Sequence, residues 1–121
     1  MRRTRSELVR QICEAIAKME GFYSPGSIAS RNNNPGNLRK WGNVAIVDGY
    51  ASFPSAAAGW EALRSQVNRN VKRGLTLREF FGGKPGVYPG YAPSSDGNHP
   101  NNYAEFVGGR VGISPDVVIS D

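Results

Sequence analysis

Glu20 is the acidic side chain in this sequence that no ordinary structural task claims, and a carboxyl placed at the end of an apolar helix is suited to proton transfer. Glu7 and Glu79 sit at the fourth position of Thr-x-x-Glu capping boxes, Glu14 and Glu61 stand within reach of Lys18 and Arg64, and Glu105 falls in the first turn of a helix. Asp48, Asp96 and Asp116 belong to turns or loops, and Asp121 is terminal. Glu20 instead closes an apolar helical pattern inside "IAKMEGFYSPGSIASRNNNPGNLR", residues 16–39. At about 100° per residue it lies roughly 80° from the centre of the apolar stripe, at the margin between core and solvent where a cleft wall would stand. The negative end of the helix dipole and partial burial beside Ile16, Met19 and Phe22 both disfavour ionisation, so its pKa is expected to rise. Such a carboxyl can protonate a leaving glycosidic oxygen near neutral pH. The plainer reading makes Glu20 the exposed last residue of a fraying helix.

Other chemistries lack their parts. One histidine and one cysteine exclude a His/Cys metal site, His99 has no nucleophile motif around it, and the glycine pairs form no phosphate-cradling loop. No metal and no cofactor is expected. Cys13, the sole cysteine, permits no internal disulfide. The net charge of +5 suits a polyanionic partner, although scattered Lys and Arg read first as a solvated surface. No nucleic-acid reader motif appears, so no nucleic-acid partner is expected. The basic start, Arg2, Arg3 and Arg5, is followed by polar residues rather than an apolar segment, so neither an export signal nor a membrane span is expected.

The elements that must position Glu20 follow from periodicity. Thr4-Arg5-Ser6-Glu7 opens a helix whose stripe is Leu8, Val9, Ile12, Ala15, Ile16 and Met19, with a Glu14–Lys18 pair opposite and Gly21 as its stop. A long polar loop over residues 22–42 precedes "NVAIVDGYASF", a hairpin turning at Asp48-Gly49. Pro54-Ser55 begins a second helix with Ala56, Trp60, Leu63, Val67 and Val71 inward, so that Trp60 is expected in the core. Thr76–Glu79 caps a short helix, residues 82–100 form a long Pro/Gly loop, and a last helix covers Asn102 to about Arg110. At 121 residues, a single domain spanning 1–121 is expected, and a monomer.

"MEGF" at a helix end, then "RNNNPGNLR", "FPSAAAGWEAL", "TLREFF" and "YAPSSDGNHPNNYAEFVGGRVGIS", resemble in order and spacing the lysozyme-like superfamily. More particularly, the chain is similar to the short phage and bacterial proteins related to lytic transglycosylases and goose-type lysozymes. The resemblance runs from about residue 14 to residue 117. It implies a mainly α (α+β), lysozyme-like fold, a helical core with a small β-hairpin beside the cleft. It also implies that Glu20 is the catalytic acid, that Asn33, Asn34 and Asn37 face the cleft, and that Tyr103 lies near the glutamate. Gly36-Asn37-Leu38-Arg39 departs from the Gly-Leu-Met-Gln segment of transglycosylases, which leaves the role of Arg39 open. With Tyr50, Tyr91 and His99 these residues are the expected substrate contacts; Trp41 and Tyr88 are further stacking candidates. The asparagines are equally suited to making turns, and an amide that shapes a loop can also bind an acetamido sugar.

The expected partner is peptidoglycan, cleaved at the β-1,4 bond between N-acetylmuramic acid and N-acetylglucosamine with Glu20 as acid and then base. If Asp48 or Asp96 positions a water, the outcome is muramidase hydrolysis instead. Chitin or chitosan as substrate, a non-catalytic wall-binding or virion structural domain, and a basic nucleic-acid-binding domain are the alternatives.

Overall fold

Thr4 and Glu7 cap the first helix reciprocally: the Thr4 N–H donates to Glu7 Oε1 at 3.0 Å, and the Glu7 N–H donates to Thr4 Oγ1 at 3.1 Å. In the computed structural model, which describes residues 3–94 and 97–120, α1 then runs over Arg5–Met19. Asp96, a candidate second acid, lies outside the described residues. The stripe predicted from spacing is buried at Leu8, Val9, Ile12, Ala15 and Ile16, joined by Cys13 and Ala17. The expected Glu14–Lys18 pair is superseded by a tertiary contact, because the Tyr23 hydroxyl donates to Glu14 Oε2.

Five elements follow at or close to where the sequence places them, and one is new. The new one is α2, Ile28–Arg31, a single turn whose N-cap is Ser27. β1 (Ala45–Val47) and β2 (Tyr50–Ser52) pair antiparallel, with Val47 opposite Tyr50. Asp48 and Gly49 join them at φ 55 and 84, the two left-handed residues of a type I′ turn. α3 (Ala56–Lys72) starts where Ser55 Oγ accepts the Ala58 N–H, and α4 (Leu77–Gly82) carries the complete Thr76/Glu79 capping box. α5 (Pro100–Val111) begins two residues earlier than expected, with Pro100 in the first helical turn where a missing N–H costs nothing. Helix plus one two-stranded sheet makes the chain α+β.

The chain divides into two compact units, one of residues up to Leu8 together with Asn68 onward, the other Val9–Val67; the divisions fall within α1 and α3. In the second unit Ala51, Phe53 and Ala62 are buried together, and Leu38, Trp41, Val44 and Ala58 pack on them. In the first, α4 lies against α5, close enough that a Cβ on Gly108 would stand 3.3 Å from Leu77 Cδ1. The residues after α5 are clasped by α4 and the segment leading into it, with the Ile119 N–H on Leu75 O at 3.0 Å and Arg78 Nε on Asp116 Oδ1 at 2.6 Å. Within the Pro/Gly loop, residues 91 and 92 are tied to α4 by backbone bonds from Tyr91 to Phe80 O and from Ala92 to Phe81 O.

The α4 cap carries a pH dependence. The Thr76 backbone N–H on Glu79 Oε1, helped by Lys84, holds the Glu79 carboxyl below the usual carboxylate range. A pKa lowered by folding contributes stability that is complete above the unfolded value, about 4.3, and is lost as pH falls through the folded one. Glu79→Gln protein is therefore expected to lose less stability than wild type on acidification below about pH 5. Thermal unfolding measured against pH checks this, and parallel curves for the two proteins would contradict it.

Candidate functional site

Glu20 is the C-cap of α1, and the backbone around it is closed by hydrogen bonds. Its own N–H reaches Ile16 O at 2.9 Å, the Gly21 N–H reaches Lys18 O at 3.2 Å, and the Phe22 N–H reaches Ala17 O at 3.0 Å. The last two bonds are the pair that defines a Schellman motif, which requires a left-handed residue next to the cap. Gly21 supplies it at φ 76. Ser27 braces the turn from outside: its Oγ donates to Gly21 O at 2.7 Å and accepts the Ser30 N–H at 3.0 Å as the cap of α2. One serine thus ties the end of α1 to the start of α2. Glu20 itself is half-buried, as its angular position predicts, and this end of the helix is stapled rather than frayed.

The residues after Glu20 fold back along α1. Phe22 meets the Trp60 ring edge-on at 5.5 Å between centroids, and Tyr23 is held by Glu14. Trp60 is half-buried rather than fully in the core. Leu63 and Val67 on its stripe are buried but Ala56 is exposed, and Trp60 ends as a wall of a cavity of about 250 Å³ shared with Arg10, Cys13, Glu14 and Arg64. Burial pushes the Cys13 thiol up to about 12, with Arg64 opposing and Glu14 adding to the shift. At pH 8 only about one such thiol in ten thousand is ionised, so Cys13 is expected to resist iodoacetamide in the folded protein and to react in denaturant. Equal labelling rates in the two states would refute this.

The asparagines divide by what their amides hold. Asn32 Nδ2 donates to Val47 O at 3.0 Å, and Asn33 Nδ2 to Phe53 O at 3.2 Å. Asn34 is fully buried; its Nδ2 donates to both Leu38 O and Ala51 O at 2.9 Å, and its Oδ1 accepts the Leu38 N–H at 2.9 Å. Asn34 therefore has no surface to offer a ligand, and Asn33 uses its amide on the strand end: the turn-making role is the one the geometry supports for both. Asn33 and Asn37 also adopt left-handed backbone, at φ 52 and 47. Asn37 differs from the others in one respect, since its buried Oδ1 has no hydrogen-bond partner. That oxygen is unsatisfied but has no accessible surface, so a ligand could reach it only if the loop moved.

The remaining expected contacts fall into two groups. Tyr50, in the same unit as Glu20 and the asparagines, has the Arg39 guanidinium over its ring at 4.7 Å, so one face of that ring is already covered. Asp48, at the hairpin tip, pairs with Arg31 at 3.3 Å. Tyr91, His99 and Tyr103 belong to the other unit. There Tyr91 and Tyr103 flank Phe81, with centroids 5.9 and 5.3 Å away, and His99 is exposed at the N-cap of α5 without a side-chain capping bond. Tyr88 carries Arg73 over its ring at 5.0 Å, and Trp41 packs on the Phe53 cluster. Sequence reasoning missed Ser27. Its signal was present, a serine one residue before "IASR", but a four-residue helix has no periodicity to reveal it.

Among the described residues no group of three or more His, Cys, Asp or Glu is placed to hold a metal ion, and no helix is long and apolar enough to cross a membrane. No family model matches the chain, and no curated protein or solved structure does either.

Proposed function

We propose that the protein is a peptidoglycan-cleaving glycosidase of lysozyme-like fold in which Glu20 is the single catalytic carboxyl. The observation that carries this reading is the placement of Glu20: a half-buried carboxyl on a helix end fixed by a Schellman turn and the Ser27 brace, followed by an amide-rich loop. General acid catalysis needs such fixity, because the proton must be delivered within hydrogen-bond reach of one oxygen. The order of motifs from Glu20 to the final helix supports the same reading.

In this mechanism the Glu20 carboxyl protonates the glycosidic oxygen between N-acetylmuramic acid and N-acetylglucosamine as the bond to the muramic C1 breaks. The resulting carboxylate then takes the proton from the C6 hydroxyl of the same muramic residue, whose oxygen closes onto C1. The product is a 1,6-anhydro sugar, and Glu20 is returned to its acid form. A one-carboxylate route is favoured because Asp48 is engaged by Arg31 at the hairpin turn.

Mass spectrometry of the products from defined peptidoglycan tests the proposal. Anhydro-muropeptides are expected. Reducing muramic ends would make the enzyme a hydrolytic muramidase using the same acid, and binding without any product would leave a non-catalytic wall-binding domain and overturn the enzymatic reading.

A further inference from the structure

A second groove, of about 320 Å³, is not used by the chemistry of Glu20. It opens between Trp41 and Val44, Phe53 after β2, and the face of α3 that carries Glu61 and Ser65. Its volume lies in the range of small-ligand sites, and its floor is aromatic and aliphatic. The expected Glu61–Arg64 pair does not explain the carboxylate in it. Arg64 lines the separate cavity beside Cys13, and the Glu61 carboxylate makes no hydrogen bond or ion pair among the described residues.

We propose that this groove binds a primary ammonium on an aliphatic stem, supplied by the amine-bearing stem peptide of peptidoglycan. Glu61 is the one charged side chain among the described residues that line the groove, in a chain whose net charge is +5, so the site selects against the anions that the rest of the surface attracts. A lysine-type side chain fits both halves of the lining. Its methylenes cover Trp41 and Phe53, and its ammonium meets Glu61, with the Ser65 hydroxyl one helical turn further on to accept a second N–H. An ammonium near the indole face gains a cation–π contribution as well. The chemistry of the ligand follows from the lining, and the wall peptide as its source rests on the function proposed above.

The test is a titration of the 15N-labelled full chain with the tripeptide L-Ala–γ-D-Glu–L-Lys, read at the Trp41 indole N–H. Trp60 lines the other cavity and serves as internal reference. A saturable shift at Trp41 is expected, weakened at least tenfold when the lysine amine is acetylated and to the same extent in Glu61→Gln protein. Glu61 is exposed on α3, so this variant should fold, and the rest of its spectrum verifies that. The inference is overturned if Trp41 does not respond, if the acetylated peptide binds equally, or if Glu61→Gln binds like wild type. It is also overturned if Trp41 shifts with protein concentration alone, which would make a second copy of the chain the occupant. Wall cleavage without peptide binding would sink only the groove; peptide binding without wall cleavage would sink only the catalytic assignment.

Discussion

Glutamine at position 20 is expected to lower release of muropeptides from purified walls by about a thousandfold, within the range by which positioned acids and bases accelerate proton transfer. The amide can neither donate a proton to the leaving oxygen nor accept one from the C6 hydroxyl, so both halves of the proposed reaction fail at once. The backbone turn that carries residue 20 should persist. The hydrogen bonds that shape the end of α1 come from the backbone of residues 20, 21 and 22 and from Ser27, and none of those donors or acceptors changes. Equal denaturation midpoints for the two proteins would establish that the loss is chemical. Activity retained within tenfold would remove Glu20 from the mechanism.

The largest effect on stability is expected from Gly59→Ala. Helix propensity alone favours alanine by about 1 kcal/mol in a helix interior. The tertiary setting reverses the sign, because a Cβ at this position would stand 1.9 Å from the Asn33 carbonyl oxygen and 2.9 Å from Pro35 Cδ. Neither neighbour can give way cheaply. Asn33 is held in left-handed backbone with its amide on Phe53 O, and Pro35 is a ring. Overpacking against mobile side chains costs about 1–3 kcal/mol, and a clash with fixed backbone belongs at or above the top of that range. A net loss of about 3 kcal/mol, or about 10 °C in the thermal midpoint, follows. Gly109→Ala is the control, since its Cβ would meet nothing within 4 Å, and it should be neutral or slightly stabilising. A midpoint for Gly59→Ala at or above wild type would refute the argument.

How far the sequence could be read depended on whether the relevant contact was local. The Thr4 and Thr76 capping boxes, the α1 stripe and the Asp48-Gly49 turn are all set by residues within a few positions of one another, and each forms where the pattern places it. The position of Glu20 at the core margin was legible for the same reason. The amides of Asn32, Asn33 and Asn34 were not, because their acceptors lie as far as 20 residues away in the hairpin. Gly59 reads as an unremarkable start of a helix, and only the Asn33 carbonyl above it explains why it carries no side chain. Glu61 and Arg64 have a spacing that permits pairing, about 60° apart around the helix, yet the surroundings draw them into separate cavities.

Strands of three residues do not persist as an isolated hairpin, so the loop amides have a further consequence. Phe53 N–H on Asn32 O and Ala51 N–H on Leu38 O join β2 to the loop, and Asn34 closes the same ring of bonds through the Leu38 N–H. Breaking any one of these exposes the others to water. Solvent exchange at Leu38, Ala51 and Phe53 should therefore proceed through a shared opening, with similar protection factors, so that loop and hairpin loosen as one cooperative piece rather than as two flexible segments.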